Sequence, residues 1–326
     1  MDHLAVGIAD VEAAADRIEG HAVRTPLLNA PLLDADIGRR IFVKAECLQK
    51  TGSFKYRGAK NTIQSLSEAE RKAGVIAFSS GNHAQGVALA AREADTSAVI
   101  IMPADAPQLK INNTRALGAE VVLYDRANED RDEIGARLSQ EGGLALIKPF
   151  DNPFVIAGQG TSGLEIADQA KASGITEADV LVCCGGGGLT SGIATAITAK
   201  ASNFNVHPVE PENFDDVTRS LASGKIEQNQ KRSGSLCDAI ITPSPGKLTF
   251  PIMSALCGPG IVVTEEDALR AMAIAFTRLK IVLEPGGAVA LAAALFHRAD
   301  DKDVIAVASG GNVDAAVFRM ALDKYA

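Results

Sequence analysis

The sequence predicts an α/β protein with two lobes, each built on a largely parallel, twisted sheet flanked by helices. Two observations favour this class. Short apolar runs alternate with helix-like stretches over most of the 326 residues, and that alternation is typical of parallel sheets covered by helices. It breaks at 148–153, where Pro149 and Pro153 disfavour helix. This break predicts a boundary between the lobes.

The elements before the break come in the following order. Residues 11–18 have the spacing of a short amphipathic helix, 26–28 are extended, and 41–43 are strand-like. Further strands are predicted at 75–78, 98–102, 120–124 and 144–147, with helices after Asn82, at 108–117 (ended by Gly118) and at 130–138.

After the break the alternation resumes. Helices are predicted at 156–172, 189–201, 265–279 and within 284–296, strands at 180–184, 205–209 and 304–308, and irregular structure at 227–235. We therefore expect a discontinuous large domain of residues 1–69 and 153–326, with a small mobile domain of residues 70–152 inserted into it. Ligands of parallel sheets bind beyond the carboxyl ends of the strands, so the site is expected in the crevice between the lobes.

Composition and charge narrow the range of partners. The chain is 47% hydrophobic and 22% charged, as globular proteins are. Its net charge of −8, without a basic run, argues against a nucleic-acid partner. No apolar segment is long enough to span a bilayer, and the first residues lack the pattern of a signal peptide. The five cysteines fit neither a zinc site nor a disulfide framework, which favours a reduced, cytoplasmic setting.

A lysine between a predicted strand and a predicted helix is the first candidate for chemistry. Lys55 follows a turn at 51–53, and a helix-compatible stretch begins near Arg57. A lysine at such a junction can point into a cleft, where desolvation would lower its pKa and make it a nucleophile and a base. A lone lysine beside a turn is more commonly a surface residue, so the assignment depends on the other motifs.

The second candidate is a run of glycines, Gly185 to Gly188, between a predicted strand and a predicted helix. Residues without Cβ let several backbone amides converge on one anion, and the helix N-terminus adds a favourable dipole. The run has neither the spacing of a dinucleotide fingerprint nor the Gly-Lys-Ser/Thr ending of a nucleotide P-loop. Alone it is explained equally well as a tight turn, but beside Lys55 it predicts a phosphate-binding loop.

The segment Ser53-Phe54-Lys55 with Arg57-Gly58-Ala59 resembles the lysine segment of the fold type II pyridoxal-phosphate enzymes. This tryptophan synthase β-like family includes threonine and serine dehydratases and serine racemases, and the resemblance covers nearly the whole chain. It implies that pyridoxal 5′-phosphate is bound to Lys55 beside Phe54. It also implies that the cofactor phosphate is held by the backbone amides of Gly185, Gly186, Gly187, Gly188 and Leu189.

Three further loops match the family. The resemblance places Asn82 at the phenolic oxygen of the cofactor ring and the amides of Ser79-Ser80-Gly81-Asn82-His83 at the substrate carboxylate. A simple helix cap also explains Asn82, and a structural role explains His83. The matching serine in the family, here Ser309, binds the pyridine nitrogen. A hydroxyl cannot keep that nitrogen protonated, and the weaker electron sink favours prompt loss of a β-leaving group. Glu284 is implied as a carboxylate near the ring.

The acidic segment 210–216 is a candidate cation site. Its four carboxylates repel each other unless they are solvated or hold a cation. Glu210, the Phe214 carbonyl and Asp216 could supply oxygen ligands. The resemblance implies Mg²⁺, Mn²⁺ or Ca²⁺ here, as an activator outside the chemistry. An acidic helix start capped by Asn213 is the alternative.

The resemblance implies an ammonia-lyase that converts a β-hydroxy amino acid of the threonine or serine type to a 2-oxo acid, in a homodimer, with Lys55 as the base. Two alternatives stay open. Ser80 stands where serine racemases have serine and could return a proton opposite Lys55, although Phe150 matches the dehydratase pattern. Arg131 could pair with a second substrate carboxylate, as a 3-hydroxyaspartate dehydratase requires, or it is a solvated helix charge.

Other classes fit less well. A nicotinamide-dependent oxidoreductase would need an acidic residue about twenty positions after Gly-x-Gly-x-x-Gly, and the sequence has no such unit. A cysteine synthase-like transferase shares the cofactor fold, but the segments 210–216 and 284–288 fit dehydratases better. A non-catalytic binding protein would have no use for Lys55 beside a phosphate loop. Because the chain ends at Ala326 without the regulatory domain of biosynthetic threonine dehydratases, we expect a short catabolic form.

Overall fold

The computed structural model describes residues 4–79, 81–106, 108–125, 128–231, 233–298 and 302–326, without the side chains of residues 109, 131 and 132. The strands are β1 (Leu27–Asn29), β2 (Ile41–Lys44), β3 (Val75–Phe78), β4 (Ala98–Pro103), β5 (Glu120–Tyr124), β6 (Ala145–Leu146), β7 (Ala178–Cys183), β8 (Phe204–Pro211), β9 (Ile261–Val263) and β10 (Val304–Val307). The α-helices are α1 (Ile8–Ile18), α2 (Pro31–Ile37), α3 (Lys55–Ser65), α4 (Glu68–Ala73), α5 (Asn82–Arg92), α6 (Gln108–Ala116), α7 (Arg131–Gly142), α8 (Pro153–Ala172), α9 (Gly188–Lys200), α10 (Asp216–Ser223), α11 (Thr249–Leu256), α12 (Glu265–Ile274), α13 (Pro285–Phe296) and α14 (Ala315–Tyr325).

The strands form two sheets. One has the order β1-β2-β10-β7-β8-β9 and the other has the order β5-β4-β3-β6. In the described residues all paired strands are parallel except β1 and β2, which are antiparallel. The predicted α/β class, with two largely parallel sheets flanked by helices, is therefore confirmed.

The two sheets use different parts of the chain. The smaller sheet takes its strands from residues 75–146, and the larger sheet takes strands from both sides of that segment. This separation supports the predicted insertion. The domain bounds (1–69 with 153–326, and 70–152) and the mobility of the small domain stay predictions.

Alternate residues of β7 point to opposite faces of the larger sheet, as the pleat of a strand requires. Leu181 and Cys183 belong to the apolar cluster that contains α13, and Val180 and Val182 belong to the cluster that contains α9. Both faces of this strand are therefore covered by helices, which explains its apolar run at residues 180–183.

The proline break has a second role that the sequence analysis missed. Pro153 is the first residue of α8, and the Asn152 side chain caps that helix by accepting from the amides of Phe154 and Val155. A proline at the first helical position loses no hydrogen bond. The helix therefore begins three residues before the predicted 156–172. Among the described residues, no helix has the length and apolarity needed to cross a membrane.

Candidate active site

A cavity of about 290 Å³ lies between the two sheets, beyond the carboxyl ends of their strands. It brings together most of the predicted site residues: Phe54, Lys55, Ser79, Gly81, Asn82, His83, Gly185, Gly186, Gly187, Gly188, Leu189 and Glu284. Ser80 lies outside the described residues, and the side chain of Arg131 is not described. The predicted cation segment does not line this cavity.

Lys55 presents its amine at the cavity wall. It is the first residue of α3. Its Nζ atom donates to the Pro149 carbonyl at 2.8 Å and lies 5.2 Å from the centroid of the Phe54 ring. Burial lowers the pKa of Lys55 to about 8, although the Glu284 charge acts in the opposite sense. The amine therefore loses its proton far more readily than that of an exposed lysine.

Arg57 fixes the first turn of α3 and with it Lys55. Its guanidinium donates to both carboxylate oxygens of Glu46, at 2.8 and 2.9 Å, and of Glu165, at 2.7 and 3.0 Å. Arg57 and Glu46 are buried, so this bidentate pairing is needed to offset the cost of desolvation. Lys44 of β2 completes the network by donating to Glu165 at 2.6 Å.

The glycine loop joins β7 to α9 and has no room for side chains. Gly187 has φ of 90°, a left-handed conformation that favours glycine. A Cβ atom at Gly186 would lie 2.4 Å from the Phe150 ring, and one at Gly187 would lie 2.5 Å from Met253. The loop therefore offers backbone amides alone, beside the N-terminus of α9, as anion binding requires.

Two hydroxyl groups strengthen the case for an anion. Thr190, in the first turn of α9, and Thr242 line the cavity, and their Oγ1 atoms are buried without a hydrogen-bond partner in the described part of the chain. An unpaired buried polar group costs about 1–3 kcal/mol, which an anion accepting from both hydroxyls would remove. Neither residue was predicted from the sequence. Thr190 directly follows the glycine motif, whereas no signal marks Thr242.

A chain of side-chain amides orients Asn82. Asn312 donates to the Asn82 Oδ1 atom at 2.7 Å and to the Thr51 carbonyl at 2.8 Å. Because its oxygen is engaged in this way, Asn82 turns its Nδ2 atom to Glu284, to which it donates. Burial raises the pKa of Glu284 to about 7, so this carboxyl group is partly protonated at neutral pH.

The loop before α5, predicted to bind a substrate carboxylate, lines the cavity with polar groups. The Ser79 Oγ atom accepts from the Gly81 amide at 3.1 Å, and α5 begins next, at Asn82. The His83 Nε2 atom lies 2.9 Å from the Ile147 carbonyl. Burial, aided by the Lys55 charge, lowers the pKa of His83 to about 3. His83 is therefore neutral, donates to the carbonyl and holds the loop in place.

Ser309 is placed differently from the other predicted residues. It follows β10 and is buried. Its carbonyl accepts from the Phe54 amide at 3.1 Å, which ties the end of β10 to the residue before Lys55. It does not belong to the described cavity lining. Its role at a pyridine nitrogen stays a prediction.

The predicted cation segment lies at the end of β8. Glu210 caps α10 by accepting from the amides of Val217 and Thr218 at 2.9 and 2.6 Å. Asp216 accepts from Asn229 through Oδ1 at 2.5 Å, and its Oδ2 atom is buried without a described partner. Burial, together with repulsion from the Asp216 carboxylate, raises the pKa of Glu210 to about 8. No group of three or more His, Cys, Asp or Glu residues suited to a metal occurs within the described ranges.

Fold and cavity together define a class of enzyme. The model of the pyridoxal-phosphate dependent enzyme family matches residues 18–310, and the chain belongs to that family. The predicted family and its fold are confirmed.

Individual relatives are similar over nearly their whole lengths. The chain is 42% identical to the L-threo-3-hydroxyaspartate ammonia-lyase of Pseudomonas sp, over 97% of this chain and 96% of the relative. It is 39% identical to the serine racemase of Schizosaccharomyces pombe, over 94% of each. The solved structure of the T.th. threonine deaminase matches with a TM-score of 0.89 and 45% identity, over 94% of this chain and 99% of that one.

Proposed function

We propose that the protein is a pyridoxal-phosphate-dependent ammonia-lyase that converts a β-hydroxy amino acid of the threonine or serine type to a 2-oxo acid and ammonia. The observation that carries this proposal is that Lys55 and the glycine loop line one cavity. Relatives named as a threonine deaminase and as a hydroxyaspartate ammonia-lyase, at 45% and 42% identity, support the reaction class.

The residues present fit the cofactor. Its phosphate would be held by the amides of Gly185, Gly186, Gly187, Gly188 and Leu189 with the hydroxyls of Thr190 and Thr242, and its ring by Phe54, Asn82 and Ser309, with Glu284 nearby. The unpaired hydroxyls and the tightly packed glycine loop support this assignment. When bound, pyridoxal phosphate supplies an electron sink that makes the α-proton of an amino acid acidic.

The chain's own groups then bind the substrate and transfer protons. Ser79 and the Asn82 backbone amide, with the Gly81 amide once it releases the Ser79 Oγ atom, would hold the substrate carboxylate, which orients the α-carbon towards Lys55. The lowered pKa of Lys55 suits its amine to remove the α-proton. The β-hydroxyl group leaves with a proton as water, and water then hydrolyses the released enamine. The net products are one 2-oxo acid and one ammonia.

Two other activities are each supported by a specific relative. The hydroxyaspartate ammonia-lyase relative at 42% identity favours 3-hydroxyaspartate as a substrate, for which Arg131 is the predicted reader of the second carboxylate. The serine racemase relative at 39% identity favours racemisation. That reaction needs a proton donor on the face opposite Lys55, and Ser80 is the predicted donor.

The proposal includes a divalent cation, Mg²⁺, Mn²⁺ or Ca²⁺, at Asp216 with the Phe214 carbonyl. The buried, unpaired Oδ2 atom of Asp216 supports it. Glu210 would have to release the amides of α10 to become a ligand. A homodimer is proposed by analogy with the family and a cytoplasmic location from the pattern of cysteines, and neither enters the chemistry.

The test is release of 2-oxo acid from L-serine, L-threonine and L-threo-3-hydroxyaspartate by cofactor-loaded protein, with the enantiomers of serine separated afterwards. Elimination from any of them supports the proposal. Protein that carries the cofactor but releases no 2-oxo acid from any substrate contradicts it, and D-serine formed without 2-oxo acid assigns a racemase.

A further inference from the structure

We infer that Lys110 binds the side-chain carboxylate of a dicarboxylic substrate and that Asp238 occupies this position in the free enzyme. The inference rests on the proposed function and deepens it, because it names the substrate class that the cavity selects. That class is a β-hydroxy amino acid with a second carboxylate.

The charges of the cavity point to Lys110. Of the described residues that line it, Lys55 and Lys110 are the only lysines or arginines, and His83 is neutral. In the proposed function, Lys55 binds the cofactor and removes the α-proton. The α-carboxylate of the substrate is bound by Ser79 and the neighbouring amides. A second carboxylate entering the cavity therefore has one described cation available to it.

The present partner of Lys110 is weakly held. The Lys110 Nζ atom lies 3.7 Å from the Asp238 Oδ2 atom, beyond normal hydrogen-bond distance. The Asp238 side chain is 65% exposed and that of Lys110 only 18%. An ion pair with one exposed member contributes little to stability, so Asp238 can turn to solvent at small cost while Lys110 stays at the cavity. A substrate carboxylate is chemically equivalent to the group that it displaces.

The pair also bridges the two lobes. Lys110 is on α6, which packs against β5 of the smaller sheet, and Asp238 lies in the segment between α10 and α11. Both residues, with Glu284, also line an adjoining cavity of about 200 Å³. The Lys110 side chain therefore has free space in both cavities, into which its ammonium group can move. A dicarboxylate bound to Lys110 would span the cavity from the loop before α5 to α6.

The test compares two substrates and two lysines. We would measure kcat/KM for L-threo-3-hydroxyaspartate and for L-serine in the wild type, in Lys110→Gln and in Lys72→Gln. Lys72 is exposed on α4, outside the cavity, and its substitution changes the net charge equally. Because hydrogen bonds to charged groups are strong, the ratio of the two kcat/KM values should fall about 10- to 100-fold in Lys110→Gln. It should not change in Lys72→Gln.

Asp238→Asn should change the ratio of the two kcat/KM values in the opposite direction. Removing the competing carboxylate should raise the same ratio severalfold, and this gain should vanish when Lys110→Gln is also present. A wild type that does not act on 3-hydroxyaspartate, or a ratio that Lys110→Gln leaves unchanged, overturns the inference. If Arg131→Gln lowers the ratio instead, the second carboxylate is read by Arg131.

A binding measurement separates this inference from the proposed function. Calorimetric titration of cofactor-loaded protein would compare succinate with butyrate, which has the same chain length and one carboxylate. Succinate should bind more tightly to the wild type and lose that advantage in Lys110→Gln. Equal binding of both acids to the wild type refutes the role of Lys110, whether or not any substrate is turned over.

Discussion

The free amine of Lys55 should titrate far below the usual lysine value in cofactor-free protein. Burial lowers its pKa to about 8 instead of the usual 10.5. At pH 7.5 about a quarter of the amine would then be neutral, against about 0.1% for an ordinary lysine, a difference of roughly 200-fold in reactive form. Because the pKa is lowered, the neutral amine appears as the pH rises through 8.

Competitive acetylation between pH 6 and pH 11, followed by peptide mass spectrometry, measures this titration for each lysine in one sample. Lys55 should reach half of its maximal labelling rate near pH 8, well below the usual lysine value of 10.5. In Glu284→Gln the midpoint of Lys55 should move lower still, because a charge that favours the ammonium form is removed. A midpoint for Lys55 near the usual lysine value of 10.5 would refute the argument from burial.

Two further changes test the loop and the cation. Gly187→Ala introduces a left-handed alanine that clashes with Met253, so it should cost about 1–3 kcal/mol of stability and weaken cofactor binding in equilibrium dialysis. Gly224→Ala is the matched control, since it has a similar φ but open space, and it should leave cofactor affinity intact. Mg²⁺ should raise the melting temperature of the wild type but not of Asp216→Asn, and a wild type that is indifferent to Mg²⁺, Mn²⁺ and Ca²⁺ would count against the cation.

The sequence predicted the α/β class and most of the parallel strands because their signals are local. Residues 180–183 of β7 are all apolar since helices cover both faces of the strand, and its glycine loop needs no distant contact to be recognised. Short or atypical elements were missed. Examples are α2, α4 and β9, whose few residues make sense only against the neighbours on which they pack.

The predicted site was incomplete for the same reason. Lys55, Asn82 and the glycines lie in recognisable motifs and meet in one cavity. Lys110 and Asp238 belong to no motif and are far apart in the chain, so that only the approach of the two lobes reveals their pairing. Likewise, the orienting role of Asn312 depends on hydrogen bonds to Thr51 and Asn82 that spacing cannot predict.

The central claim is that Lys55 serves a cofactor-dependent elimination of ammonia from a β-hydroxy amino acid. The most direct test measures 2-oxo acid and ammonia together, with L-serine and L-threo-3-hydroxyaspartate, in the wild type and in Lys55→Ala. Equimolar release by the wild type and none by the variant is the predicted result. Undiminished release by Lys55→Ala, or ammonia without an equal amount of 2-oxo acid, would contradict it.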